Sequence, residues 1–103
     1  MNLLKSKMQS QADEVAAILA ALANPHRLMI MCRLVEGECN VSTLQGEVPL
    51  SQSALSQHLA KLREAEMVQT RREGQMILYS IGDSKIRAVM DVLYEVYCEG
   101  ETP

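Results

Sequence analysis

Three features of the sequence predict a mainly α-helical fold that carries one small β-hairpin. Apolar residues recur at helical spacing in five segments of the chain. Between residues 67 and 81 the period changes to the two-residue alternation of β-strands, around a glycine that suits a tight turn. The chain has 103 residues, of which 48% are hydrophobic and 22% are charged, as in a compact globular protein. We therefore expect one domain that covers residues 1–103.

Two helices are predicted on either side of an Asn-Pro pair. The segment Asp13–Ala23 is rich in alanine and places its larger apolar residues on one face. Asn24 is a favourable N-cap and Pro25 a favourable first residue for the next helix, His26–Val35. Because this second helix is apolar nearly all round, we expect it to be buried at the centre of the domain and to end at Gly37.

The next two segments have the pattern of a helix-turn-helix motif. A short helix, Val41–Val48, is capped by Asn40, and a tight connection leads to Ser51, which caps a longer helix reaching about Ala65. The inner face of the longer helix carries Leu55, Leu59 and Leu62. Two helices joined in this way, the second with a polar outer face, predict a helix-turn-helix over residues 41–65.

The segment that follows predicts a β-hairpin. β-favouring residues fill positions 67–72 and 76–81, and Glu73-Gly74-Gln75 between them places a glycine at the tip. A hairpin directly after a helix-turn-helix is typical of the wing of a winged helix. We therefore assign residues 67–81 to a wing.

A last helix is predicted from Ser84 to about Cys98, with Asp83 as its cap. Its apolar stripe is wider than one small domain can cover, so we expect the segments 12–35 and 83–98 to pack against a second subunit. The order of elements, α-α-α-α-β-β-α, then predicts a dimeric winged helix-turn-helix protein.

Composition excludes several classes of protein. No run of about 18 apolar residues is present, which argues against a membrane span, and no apolar stretch follows Met1–Met8 as in a secretory signal, so we expect a cytoplasmic protein. Aromatic residues are only 3%, too few for a stacking platform on single-stranded nucleic acid. The net charge of −3 is unevenly spread, and residues 51–75 are weakly basic, which is compatible with duplex DNA.

Three motifs make the chain resemble the ArsR/SmtB family of bacterial repressors. They are Ala23-Asn24-Pro25-His26-Arg27-Leu28, then the run Leu50–Leu59 followed by Leu62-Arg63, and finally Ile77-Leu78-Tyr79-Ser80. The motifs occur in the family's order, and the match extends over residues 12–98. The resemblance implies a homodimer that binds operator DNA and leaves it when an inducer binds or reacts.

Neither of the family's common metal sites has its ligands in this chain. The thiolate site needs a Cys-x-Cys pair on the helix before the recognition helix, where this chain has Val41-Ser42-Thr43-Leu44-Gln45. The other site needs histidines on the last helix, where this chain has aspartates only. The two histidines, His26 and His58, lie on different helices. We expect no metal and no cofactor.

Three cysteines in a chain without an export signal indicate reduced thiols, metal ligands or redox chemistry rather than a disulfide framework. The placement of Cys32 and Cys98 resembles the branch of the family that responds to sulfide. The resemblance implies that these two thiols are the sensing pair, bridged by persulfide, polysulfide or an oxidant. Cys39 has no counterpart there and is either a bystander or a competing thiol.

Polar and basic side chains on the second helix of the motif and on the wing are candidate DNA contacts. Glutamine pairs well with adenine, serine meets a base edge or a phosphate, and lysine and arginine bind phosphates. The candidates are Ser51, Gln52, Ser53, Ser56, Gln57, His58, Lys61, Arg71, Arg72 and Gln75. His58 is equally compatible with packing, and strand register decides which of the two arginines points outward.

Two other interpretations remain open from the sequence. The chain could be a metal-independent DNA-binding regulator or anti-silencer with another inducer, in which the cysteines are structural. It could also be a small thiol redox enzyme, although no Cys-x-x-Cys, Ser/His/Asp set or glycine-rich phosphate loop is present.

Overall fold

The computed structural model describes residues 2–98, so residues 1 and 99–103 of the predicted domain lie outside the described part. The elements are α1 (Asn2–Leu22), α2 (Pro25–Val35), β1 (Cys39–Asn40), α3 (Val41–Glu47), α4 (Gln52–Glu64), β2 (Val68–Glu73), β3 (Met76–Ile81) and α5 (Ser84–Tyr97). The three strands form one antiparallel sheet in the order β1-β3-β2. The helices pack on this sheet as a winged helix-turn-helix.

Side-chain caps begin four of the five helices where the sequence predicts them. Asn24 accepts hydrogen bonds from the backbone N–H groups of His26 and Arg27 at 3.0 and 3.1 Å. Asn40, Ser51 and Asp83 cap α3, α4 and α5 in the same way. Each cap satisfies a backbone donor that would otherwise lack a partner at the start of a helix.

The core is aliphatic and lies between α2, α4, the sheet and α5. Its fully buried side chains come from every helix after α1 and from the start of the hairpin. They are Ile30, Met31, Leu34, Leu44, Leu55, Leu62, Met67 and Met90. The inward positions predicted for Leu55, Leu59 and Leu62 are confirmed, with exposures of 0, 2 and 0%.

The join between α4 and the wing is tightly packed. Glu66 adopts a left-handed φ of 60°, and the N–H of Met67 returns to the carbonyl of Leu62 at 2.9 Å, which closes the last turn of α4. The N–H of Gly82, at the end of β3, then bonds the Met67 carbonyl at 2.9 Å. A Cβ atom at Gly82 would lie 2.3 Å from the Glu66 carbonyl oxygen. Only glycine fits where the wing returns to α4.

The structure differs from the predicted order by one strand and by the length of one helix. β1 was not predicted because two residues are too short to show an alternation; Cys39 and Asn40 form it by pairing with Tyr79 and Leu78. α1 begins at Asn2 rather than at the predicted Asp13. Residues 2–12 contain neither proline nor glycine, so nothing interrupts the helix there. They were not predicted as helix because they lack the apolar period that marks one.

Helix α2 is less completely buried than expected. Ile30, Met31 and Leu34 are buried in the core, but Met29 is 42% exposed and Cys32 is half-buried.

Among residues 2–98, no single helix is both long and apolar enough to cross a membrane. Only the pair Ser6–Leu22 and Pro25–Val35, bent by 99°, reaches that length and hydropathy when its two helices are taken together.

Candidate DNA interface and thiol pair

Helix α4 presents a continuous polar face. Gln52, Ser53, Ser56 and Gln57 are all exposed, and their spacing of one and four residues places them on one side of the helix. Ser51 is exposed as well, and its hydroxyl caps the helix by accepting from the Ala54 N–H at 3.2 Å. Lys61 continues the exposed surface one turn further on. This face has the donors and acceptors that a major groove requires.

His58 differs from the other candidates on α4. It is half-buried, its ring centroid lies 5.8 Å from that of His26, and its Nδ1 is buried without a hydrogen-bond partner in the described chain. Burial lowers the pKa of His58, and the positive charges of Arg27, His26 and Lys61 lower it further. The imidazole is therefore neutral at pH 7 and is placed for packing between α4 and α2.

The wing carries the remaining candidates. Arg71, Arg72 and Gln75 are exposed, and Gln75 lies with Gly74 in the two-residue turn between Glu73 and Met76. Gly74 has a φ of 63°, which glycine adopts without strain. The register pairs Arg71 with Leu78 and Arg72 with Ile77, so the two arginines point to opposite faces of the hairpin.

The thiols of Cys32 and Cys98 come together between α2 and α5. Cys32 lies on α2, and Cys98 is the exposed C-cap residue of α5. The Cys98 thiol is near enough to that of Cys32 to raise its pKa. Both face a cleft of about 640 Å³ whose apolar walls include Leu28, Met29 and Tyr97.

The environment of Cys32 favours its protonated thiol. Burial raises the pKa of Cys32, and the neighbouring Cys98 and the Glu36 carboxylate raise it further. Glu36 is itself tied to α5, because the Tyr94 hydroxyl donates a hydrogen bond to its Oε2 at 3.0 Å. The cleft is therefore lined by two thiols, the Glu36 carboxylate and the Arg33–Glu47 ion pair.

Cys39 lies apart from the other two cysteines. It is 6% exposed, it belongs to the core cluster, and its backbone pairs with Tyr79 in the sheet. Burial raises the pKa of its thiol. Both properties indicate an inert core cysteine.

Over residues 2–98, no group of three or more histidine, cysteine, aspartate or glutamate side chains is arranged to hold a metal ion. His26 and His58 approach each other, but Arg27 and Lys61 add positive charge there.

Comparison with known proteins matches the part of the chain that contains the helix-turn-helix. The model of the family "Bacterial regulatory protein, arsR family" matches residues 24–70. The transcriptional activator HlyU of Vibrio cholerae is 39% identical over 99 residues, which are 96% of this chain and 90% of that protein. The chain belongs to the arsR family. The biofilm growth-associated repressor of Agrobacterium fabrum is also similar, 42% identical over 94 residues, which are 91% of this chain and 80% of that protein.

Solved structures of arsR-family proteins confirm the predicted fold class. Reduced HlyU from Vibrio cholerae superimposes with a TM-score of 0.83 at 39% identity, over 89% of this chain and 97% of that one. The homodimeric winged helix-turn-helix DNA-binding domain of Mb0332 from Mycobacterium bovis gives 0.77 at 28% identity, over 91% of this chain and 87% of that one. This arsR-family chain is a DNA-binding transcription regulator and not an enzyme.

Two acidic residues of the regulator lie near candidate sites and were missed from the sequence. Glu36 contacts Tyr94 beside the thiols, and Glu38 contacts Arg71 of the wing. Their partners lie 58 and 33 residues away in the chain. No local pattern marks such contacts; the only available signal was the acidic segment 36–38 between two apolar elements.

Proposed function

We propose that this arsR-family regulator is a homodimeric repressor that binds a pseudo-palindromic operator when reduced. Bridging of Cys32 to Cys98 by a persulfide, a polysulfide or another oxidant then releases it from DNA. The observation that carries the proposal is that Cys32 and Cys98 line the same cleft at the α2–α5 boundary. Cys39, the third thiol, is buried elsewhere and takes no part.

The accessibility of the two thiols gives an order to the reaction. Cys98 is exposed and attacks first: its thiolate displaces HS⁻ from a disulfane, HS–SH, and becomes a persulfide. The half-buried Cys32 then attacks the inner sulfur of that persulfide, which forms the disulfide and releases H₂S. In sum, two thiols and one H₂S₂ give one disulfide and two H₂S, so the thiols are oxidised and the sulfane sulfur is reduced.

Exposed apolar side chains on α1 and α5 support the dimer. They include Val15 and Leu19 on α1 and Val92 and Val96 on α5, which are 37 to 59% exposed in the single chain. Apolar stripes of this kind are normally covered in a functional assembly. The homodimeric Mb0332 domain, of the same fold, is consistent with a second copy as the cover.

A covalent bridge between α2 and α5 provides a route from the thiols to DNA. In the proposed dimer, α5 lies at the subunit interface, and α2 packs on α4, the helix with the polar face. A bridge that holds α2 and α5 in one arrangement changes the relative stability of two dimer geometries. Coupling of about 1–3 kcal/mol between the two sites would weaken operator binding by about five- to 150-fold.

Contacts to the operator are assigned to the exposed residues of α4 and the wing. In this assignment Gln52, Ser53, Ser56 and Gln57 meet base edges, and Ser51, Lys61, Arg72 and Gln75 meet phosphates or the minor groove. His58 is assigned a packing role because its Nδ1 is buried.

The test is fluorescence anisotropy with a duplex taken from upstream of the protein's own gene. We expect the fully reduced protein to bind tightly and to lose binding after exposure to inorganic polysulfide. Mass spectrometry of the exposed protein should show the loss of two hydrogens and a peptide linking Cys32 to Cys98. The C32S and C98S variants should bind DNA whether or not polysulfide is present.

The matched control is C39S, which removes a thiol from the core without touching the pair. We expect C39S to respond to polysulfide as the wild-type protein does. Equal DNA binding before and after exposure, or a response that survives in C32S, would rule out the proposed thiol switch. DNA binding itself would then still stand, and the inducer would have to be sought elsewhere.

A further inference from the structure

The two arginines of the wing differ in their partners. Arg71 and Arg72 are neighbours on β2, both are exposed, and they point to opposite faces of the hairpin. From the sequence alone they are equivalent candidates for a phosphate. Their surroundings in the folded chain separate them.

Arg71 is held by two carboxylates. Its Nε donates to both oxygens of Glu38, at 3.2 and 3.0 Å, and its NH2 group bonds Glu38 Oε1 at 2.5 Å. Its NH1 group lies 2.9 Å from Oε2 of Glu73. The hydrogen bonds from Arg71 hold the pKa of Glu38 below its usual value, and the two carboxylates raise the pKa of Arg71. A bidentate pair with a second carboxylate is the geometry in which a surface ion pair fixes a side chain.

Glu38 does not belong to the wing. It lies in the short segment between α2 and β1, so its pairing with Arg71 ties the hairpin to that segment. Glu73 by contrast lies on β2 itself, two residues after Arg71 and on the same face of the strand. Of the two carboxylates, Glu38 is therefore the one that links Arg71 to another element.

Arg72 has no such partner. Among residues 2–98 it forms no hydrogen bond and no ion pair, and its guanidinium is exposed on the face away from Glu38 and Glu73. A phosphate that approaches Arg71 meets two negative charges, whereas one that approaches Arg72 meets an uncompensated cation.

We propose that Glu38 makes Arg71 a positioning residue of the wing and leaves Arg72 as the wing's phosphate-binding cation. The inference deepens the proposed DNA contact of the wing and rests on it. It predicts that the two arginines contribute to DNA binding in different ways. Without Arg72 the wing makes one phosphate contact fewer, so binding releases about one counterion fewer from the DNA. Without Arg71 the wing loses its ion pair with Glu38, and the hairpin is positioned less well on the DNA.

The experiment measures binding of reduced protein to the upstream duplex over a range of salt concentrations. We expect R72Q to reduce the slope of log K against log [salt] by about 1, so that its defect shrinks as salt rises. R71Q should keep the wild-type slope and weaken binding by a similar factor, less than about tenfold, at every salt concentration. E38Q should steepen the slope, because it leaves Arg71 with Glu73 as its one remaining carboxylate partner, and the E38Q/R71Q double variant should not.

The control for net charge is E66Q, which makes the same charge change at an exposed position between α4 and β2. It should leave the slope unchanged. Circular dichroism of each variant checks that the exposed substitutions leave the fold intact, and R71K, which keeps the charge but not the bidentate pair, serves if R71Q does not fold. R71K should match the wild-type slope with weaker binding.

The outcomes separate this inference from the function it rests on. If the wild-type protein binds no duplex, both are overturned. If the wild-type protein binds with a clear salt dependence but R71Q lowers the slope as much as R72Q, Arg71 is a phosphate contact. In that case the assignment to Glu38 fails while the DNA-binding role stands. An E38Q slope equal to that of the wild-type protein would also overturn the assignment.

Discussion

The hydroxyl of Tyr94 donates a hydrogen bond to the carboxylate of Glu36, at 3.0 Å, one helical turn away from the thiol pair. Glu36 follows Cys32 by four residues, and Tyr94 precedes Cys98 by four. The pairs Cys32–Cys98 and Glu36–Tyr94 therefore follow each other, one helical turn apart, where the end of α2 and the end of α5 run in opposite directions. The hydrogen bond between Tyr94 and Glu36 links the ends of the two helices that carry the thiols.

The first prediction concerns the charge of Glu36. In E36Q the amide oxygen still accepts from Tyr94, but the negative charge that raises the pKa of Cys32 is gone. We expect the pKa of Cys32 to fall and its thiolate to form at lower pH. The measurement is the pH–rate profile for alkylation by iodoacetamide, followed in C39S/C98S so that one thiol reacts, with E95Q as the charge control. An unshifted profile would show that Glu36 does not influence this thiol.

The second prediction concerns the register of the two helices. Y94F removes the hydroxyl that reaches Glu36 and leaves the carboxylate charge in place. We expect the Cys32–Cys98 bridge to form about three- to tenfold more slowly with polysulfide, in line with the loss of one hydrogen bond of about 0.5–1.5 kcal/mol. Quenched samples analysed by mass spectrometry give the rate. Y97F, which changes an exposed tyrosine near the same cleft, is the control and should bridge at the wild-type rate.

The third prediction compares two glycines. G82A places a Cβ 2.3 Å from the Glu66 carbonyl oxygen and 3.1 Å from the Met67 carbonyl carbon, so backbone must move. We expect the free energy of unfolding to fall by about 1–3 kcal/mol. G46A lies in helix α3 with nothing within 4 Å of the new Cβ, and should gain about 0.5–1 kcal/mol from helix propensity. Urea denaturation measures both; equal effects would contradict the close packing at Gly82.

The fourth prediction is a pH dependence of stability that arises from His58. Its pKa in the folded chain is below the usual 6.5, so the unfolded chain takes up a proton more readily. Stability is therefore present above about pH 6.5 and is lost as the pH falls, until the folded form is protonated as well. Denaturation midpoints between about pH 8 and pH 5 should fall less steeply in H58Q than in the wild-type protein. Parallel profiles would mean that folding does not depress this pKa.

Periodicity and capping were enough to predict the second half of α1, the other four helices, the hairpin and the four side-chain caps. These features depend on residues within a few positions of each other, as at Asn24 with Arg27 or Asp83 with Ile86. The two-residue strand β1 could not be predicted, because its pairing with β3 comes from residues about 40 positions later.

In the candidate sites too, features set by nearby residues could be predicted, and contacts between distant elements could not. Exposed α4 residues followed from the polar face of a helix, and so did the buried leucines on the opposite face. The partners of Arg71 and of Tyr94 did not, since an ion pair between separate elements depends on how those elements pack. Sequence alone left Arg71 and Arg72 equivalent, whereas strand register and the position of Glu38 distinguish them.

Asn40 belongs to two elements at once. Its backbone pairs with Leu78 in the sheet, while its side chain accepts the Thr43 N–H at 2.8 Å and so begins α3. Because no linking residue separates β1 from α3, any residue inserted here would disturb the pairing with β3 and the start of α3 together. We therefore expect insertions at this junction to be poorly tolerated.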